Sequence, residues 1–172
     1  MAYTPSAGYI AAHCPWMKYA LHELGVTEQA RGANARIIEY FRTIKRFGIH
    51  SDETPWCAAF MWWCMLRMYP EMEIPRNAAA ARSFLDFGVS LGAASAAYGG
   101  LVVFQGLVAD TPSGYHCSFY CGTDTARPGK IICLGGNQSQ PGNDGCVCYK
   151  SYPRNKVRDI RWPHQAAECR VP

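Results

Sequence analysis

Residues 51–66 read SDETPWCAAFMWWCML, a cysteine set behind a proline at the head of an aromatic run. Pro55 suits the first turn of a helix, where its missing N–H leaves nothing unpaired. Thr54 is placed to cap that turn, and Asp52 and Glu53 bring negative charge to it. Cys57, Phe60, Met61, Cys64, Met65 and Met68 then recur at spacings of three and four, which makes one apolar helix face. The helix is expected to stop before Pro70. Cys57 therefore falls in the first turn, where unpaired backbone N–H groups and the helix dipole favour a thiolate. The alternative is that Cys57 is a small buried hydrophobe, the usual state of a free cysteine.

Upstream of this stretch the sequence keeps a helical period. CPWMKYALHELGV places Pro15 at a helix start, Trp16, Ala20, Leu21 and Leu24 on one face, and Gly25 at the stop. NARIIEYFRTI repeats the pattern, with Asn34 as cap and Ile37, Ile38, Phe41 and Ile44 inward. Downstream, NAAAARSFLDFG predicts a further helix from Asn77 to a terminator at Gly88. Beyond it the period changes. LVVFQGLV, HCSFYCG, KIICLGG, CVCYKSY and VRDIRW are short and rich in β-branched and aromatic residues. TPSGY, TARPG and QPGNDG separate them as turns. Helices followed by about five strands joined by short turns predict an α+β domain with an antiparallel meander. The residues after Pro163 read as a tail.

The chain has 172 residues, 49% apolar and 17% charged, which suits one folded domain spanning 1–172 and argues against disorder. A net charge of +4, spread along the chain, offers no basic stripe for nucleic acid. The N-terminal twenty residues lack a basic start followed by an apolar block, so no secretory signal is expected there. No run is long enough to insert in a membrane. The nine cysteines are odd in number and show no C-x-x-C, so neither a zinc site nor any other metal is expected. Disulfides among Cys117, Cys121, Cys133, Cys146 and Cys148 are open on spacing alone, while buried free thiols suit a reducing compartment.

A thiol nucleophile needs a base, and the usual base is a histidine oriented by a third polar group. Of the five histidines, His13 and His22 lie in or beside the first helix, His50 in a loop and His164 in the tail. His116 opens a strand directly after a turn, where its ring can stand at a sheet rim. The strand from Lys130 to Leu134 is expected to pair with it across TARPG. That pairing would bring Gly135, Gly136, Asn137 and Gln138 to the same rim. An Asn137 side-chain oxygen could then hold the imidazole in the tautomer that faces the thiol. Asp124, eight residues after His116, competes for that role.

Taken together, DETPWCAAFMWWC, GYHCSFYCG and ICLGGNQ resemble the papain-like bacterial cell-wall hydrolases of the CHAP and NlpC type. The similarity also reaches PWMKYALHELGV and VRDIRWP and covers roughly residues 14–163. It implies a papain-like fold and a cysteine amidase or endopeptidase that cuts a peptidoglycan amide without a cofactor. Cys57 would be the nucleophile, His116 the general base and Asn137 the orienting residue. Trp56, Tyr115 and Gln138 would contact substrate, whereas Trp62 and Trp63 would pack against the sheet. Tyr115-His116 stands where the family has Gly-His, and Gly135 where CHAP enzymes commonly carry a glutamate. A wall hydrolase without a signal implies delivery to the periplasm as an injected antibacterial effector, with a cognate immunity protein, or release as a phage lysin. A non-enzymatic wall-binding or phage-tail module is the reading from another class, and a cysteine transferase or deamidase a third.

Overall fold

In the computed structural model, which describes residues 5–107 and 114–164 and only the backbone of Asn143 and Asp144, four α-helices precede a six-stranded antiparallel sheet. The helices are α1 (Ala7–His13), α2 (Trp16–His22), α3 (Ala35–Thr43) and α4 (Cys57–Met68). The strands are β1 (Val89–Ser90), β2 (Leu101–Gln105), β3 (Tyr115–Thr123), β4 (Lys130–Gln140), β5 (Asn143–Pro153) and β6 (Val157–Trp162). The architecture is α+β, as the change of period predicts. Val108, most of the TPSGY turn and the tail beyond His164 lie outside the described residues.

The sheet order is β1-β6-β2-β3-β4-β5. β2 to β5 form the expected meander, and β6 returns to the far side of β2 to pair with it and with β1. Alternate residues of β3 divide between two apolar clusters. Cys117, Phe119 and Cys121 face the helices, with Val103, Ile132 and Leu134. Tyr120 faces the other side, with Val102, Phe104, Ile131, Cys133, Tyr152, Val157 and Ile160. Both faces of the central strands are therefore buried, which explains why they read as nearly continuous apolar runs rather than alternating ones.

α3 keeps its predicted Asn34 cap, whose side chain accepts from the Arg36 N–H at 2.9 Å, and buries Ile37, Ile38 and Phe41. On α2, Trp16 and Ala20 are buried as expected, but Leu24 is 42% exposed, because the helix ends at His22 and the chain turns away. α1 has no counterpart in the sequence reading. Glu23, only 3% exposed, accepts from Arg36 and from the Tyr40 hydroxyl, and this ties the end of α2 to α3. The predicted helix over residues 77–88 does not form. Its place is taken by turns and a 3₁₀ segment, Ala81–Asp86. In a 3₁₀ segment i and i+3 eclipse, so Ala81 and Phe84 point inward together, and Phe84 stacks on Trp62 at 4.8 Å. The tertiary contact outweighs the helix propensity of the alanines.

Candidate functional site

α4 begins at Cys57, two residues later than the proline suggests. Trp56 is the N-cap residue and makes no side-chain cap bond. The first intrahelical hydrogen bond runs from the Phe60 N–H to the Trp56 carbonyl at 2.9 Å. The N–H groups of Cys57, Ala58 and Ala59 precede it and point out of the helix end beside the sulfur. Thr54 plays no capping part here. Asp52 turns away from the helix: it is fully buried, and its Oδ2 accepts from the Gln29 and Asn34 N–H groups at 3.0 and 2.8 Å. The expected negative charge at the head of α4 is thus spent on the loop before α3.

His116 meets Cys57 here. It is wholly buried near the start of β3, and its imidazole interacts with the Cys57 thiol. Its Nε2 lies 3.2 Å from the Gln138 Oε1 and 3.2 Å from the Tyr152 hydroxyl. Its Nδ1 is buried without a hydrogen-bond partner among the described residues, so it is the nitrogen left for the sulfur. The Phe104 and Tyr152 rings flank the imidazole at centroid distances of 6.2 and 5.3 Å.

The thiol of Cys57 is held well below its ordinary value. The Cys117 thiol, which donates toward the sulfur, contributes most; burial opposes it, and the His116 imidazole adds to the lowering. Cys117 is pushed the other way, by burial first and then by giving its proton toward Cys57. A thiol lowered in this way, beside a thiol donor and an imidazole at a helix head, is of the kind that can act as a nucleophile.

The third member differs from the sequence expectation. Asn137 makes no hydrogen bond to His116; it sits half-buried at φ 53° in the irregular stretch between Gly135 and Gln138, where the β4–β5 register shifts. The bulge turns the next residue inward, and Gln138, 1% exposed, takes the imidazole. The Gln138 side-chain amide also donates to the Cys148 carbonyl, which fixes the oxygen toward His116. Gly135 and Gly136 make this close approach possible: a Cβ on Gly136 would fall 2.3 Å from the Trp56 ring, and one on Gly135 2.7 Å from the Ser118 Cβ. Asp124 lies at the opposite end of β3, where it accepts from Arg127 at 2.7 Å and from Ser151, so it cannot orient His116.

Of the expected substrate contacts, only Tyr115 is at a half-open position, opening β3 across from Gln105. Trp56 is core: it is fully buried, packs on Tyr40 at 5.8 Å and donates to Glu28 at 2.8 Å. Trp62 and Trp63 are buried in the core between the helices and the sheet, as expected. Trp62 lies on Phe84, and Trp63 lies under the Arg36 and Arg67 guanidiniums at 4.5 and 5.0 Å. The groove of about 1120 Å³ lined by Ile44, Arg46, Leu66, Arg67 and Met72 is at the other end of α4 and holds none of the candidate residues.

Among the described residues no group of His, Cys, Asp and Glu is arranged to hold a metal ion. Cys117, Cys121, Cys133, Cys146 and Cys148 form no disulfide with one another. No helix among the described residues is long and apolar enough to cross a membrane. Neither protein-family models nor curated proteins give a match to this chain.

Proposed function

We propose that this chain is a cysteine hydrolase of the papain-like type that cuts an amide bond in peptidoglycan. The observation that carries the reading is the meeting of a helix-heading thiol, Cys57, with an imidazole whose far nitrogen is held by the buried amide of Gln138. Cys57 attacks the carbonyl carbon of the amide. The N–H groups at the head of α4 receive the oxyanion, each donor being worth about 3 kcal/mol in such sites. His116 hands its proton to the leaving amine. A water that gives its proton to His116 then opens the thioester and restores the thiol.

Cys57 is 3% exposed and His116 has no open surface, so a substrate carbonyl reaches the sulfur only when neighbouring groups yield. The choice of peptidoglycan, and of delivery into the periplasm as an antibacterial effector countered by an immunity protein, rests on the motif resemblance. A phage lysin would use the same chemistry.

Mass spectrometry of purified muropeptides incubated with the protein tests the reading. A new carboxylate and a new amine at one bond are expected, lost in Cys57→Ala while the fold is kept. Intact muropeptides with the wild-type protein, together with undiminished wall binding by Cys57→Ala, would favour a binding module.

A further inference from the structure

Tyr152 is not accounted for by a nucleophile, a base and one orienting amide. It comes from β5, is 3% exposed, and brings its hydroxyl to 3.2 Å from the His116 Nε2, the same distance as Gln138. One ring nitrogen thus has two oxygen neighbours. The proton positions follow from the surroundings. The Gln138 amide nitrogen donates to the Cys148 carbonyl, so its oxygen faces His116 and can only accept. Nε2 must therefore carry the hydrogen. The Tyr152 oxygen then accepts a share of the same N–H, and Nδ1 is left with its lone pair toward Cys57. A Tyr152 hydroxyl donating to a bare Nε2 would set two lone pairs, those of Nε2 and the Gln138 oxygen, against each other.

We propose that Tyr152 is a second positioning residue, and that it and Gln138 together favour the charged pair, Cys57 thiolate with His116 imidazolium, over the neutral pair. This rests on the hydrolase reading only for its use in catalysis. Moving the thiol proton to Nδ1 makes the ring a cation and sharpens its Nε2–H as a donor, so two waiting acceptors stabilise the charged pair more than one. Among the described residues, these groups lie around His116. α4 brings Cys57, β3 brings Cys117, and β5 brings Tyr152 with the Lys150 ammonium 5.6 Å above its ring. β2 brings the Phe104 ring and β4 the Gln138 amide.

The test needs no substrate. Carbamidomethylation of Cys57 is followed by mass spectrometry of its peptide in wild type and Tyr152→Phe, which keeps the ring against Phe104. The variant should react about three- to tenfold more slowly than wild type near pH 6, where the imidazole must take the proton, and equally fast near pH 10, where it need not. Gln138→Leu should show the same pattern. A Tyr152→Phe rate lowered by one factor at both pH values, or unchanged at both, would overturn the proposal.

Long-range ¹H–¹⁵N spectra of the wild-type His116 ring give a check that depends on no variant. A proton on Nε2 is expected, and a ring protonated at Nδ1 alone would overturn the assignment. If both measurements come out as expected but muropeptides stay intact, the hydrolase reading fails and the pair geometry stands.

Discussion

Cys57 and Cys64 sit seven residues, about two turns, apart on α4, and both are buried, yet their thiols are pushed in opposite directions. At Cys64, burial raises the thiol well above its ordinary value and the nearby Glu23 carboxylate adds to it. At Cys57 the same burial is outweighed by the Cys117 donor and the His116 imidazole. Burial alone raises a thiol; burial beside a thiol donor and an imidazole at a helix N-terminus lowers it. The middle of α4 packs the helical layer together, and its first turn carries the proposed nucleophile.

The widest separation of these two regions is expected in turnover. Cys57→Ala should lower muropeptide cleavage by about four orders of magnitude or more. Cys64→Ala should leave cleavage within a few-fold of wild type and cost about 1–3 kcal/mol in denaturant unfolding, as a small cavity in a packed core does. Cleavage that survives Cys57→Ala would erase the distinction.

A smaller contrast lies between neighbours on β4. Gln138→Leu should lower kcat about ten- to a hundredfold, while Asn137→Ala should change it by less than about threefold, since only the former supports the imidazole. Steady-state rates on one purified muropeptide decide this, and the reverse order would restore Asn137 as the orienting group.

Cys117→Ala probes the donor beside Cys57. Thiolate formation at Cys57, followed by the pH dependence of its alkylation, should move to higher pH by up to about one unit, the value of one hydrogen bond to the charged form. Cys64 should not respond.

The most subtle expectation concerns stability and pH. Cys14, Cys64, Cys117, Cys121 and Cys133 all have raised thiols, Cys14 and Cys133 to about 12 from an ordinary 9.0. Their contribution is complete below about pH 9 and is lost as pH rises through the folded values, because the unfolded chain ionises first. Cys57, being lowered, acts with the opposite sign: its contribution is present above about pH 9 and is lost as pH falls through its folded value. Melting temperatures should therefore fall from pH 9 to pH 11 in wild type and fall less steeply in Cys64→Ala. The deficit of Cys57→Ala against wild type should grow up to about pH 9 and then level off. Parallel curves for all three proteins would show that the two thiols do not differ.

Much of the site could be read before any coordinates. Local signals placed Cys57 at a helix head and His116 at a strand start, because a proline, a spacing of three and four, and a turn act over a few residues. The pairing of β3 with β4 followed from one short turn. The third residue could not be read the same way. Whether Asn137 or Gln138 faces the imidazole depends on a register shift between Gly135 and Gln138, and a one-residue shift exchanges the faces of a strand. A signal was present in GGNQ, where two glycines and an asparagine able to take a positive φ mark an irregular strand end, but its direction was not.

What the amino-acid order determined by itself is therefore local: that α2, α3 and α4 are helical, that Asn34 caps α3, that α4 stops before Pro70, and which residue types could form a thiol–imidazole pair. Tertiary structure alone decided that residues 77–88 lose their helix to the packing of Phe84 on Trp62. It also decided that Trp56 is core. Finally, it brought Gln138, Tyr152 and Cys117 together around the pair. Those outcomes depend on contacts between residues far apart in the chain, where the free energy of burying and pairing side chains exceeds the small preferences of single residues for one backbone state.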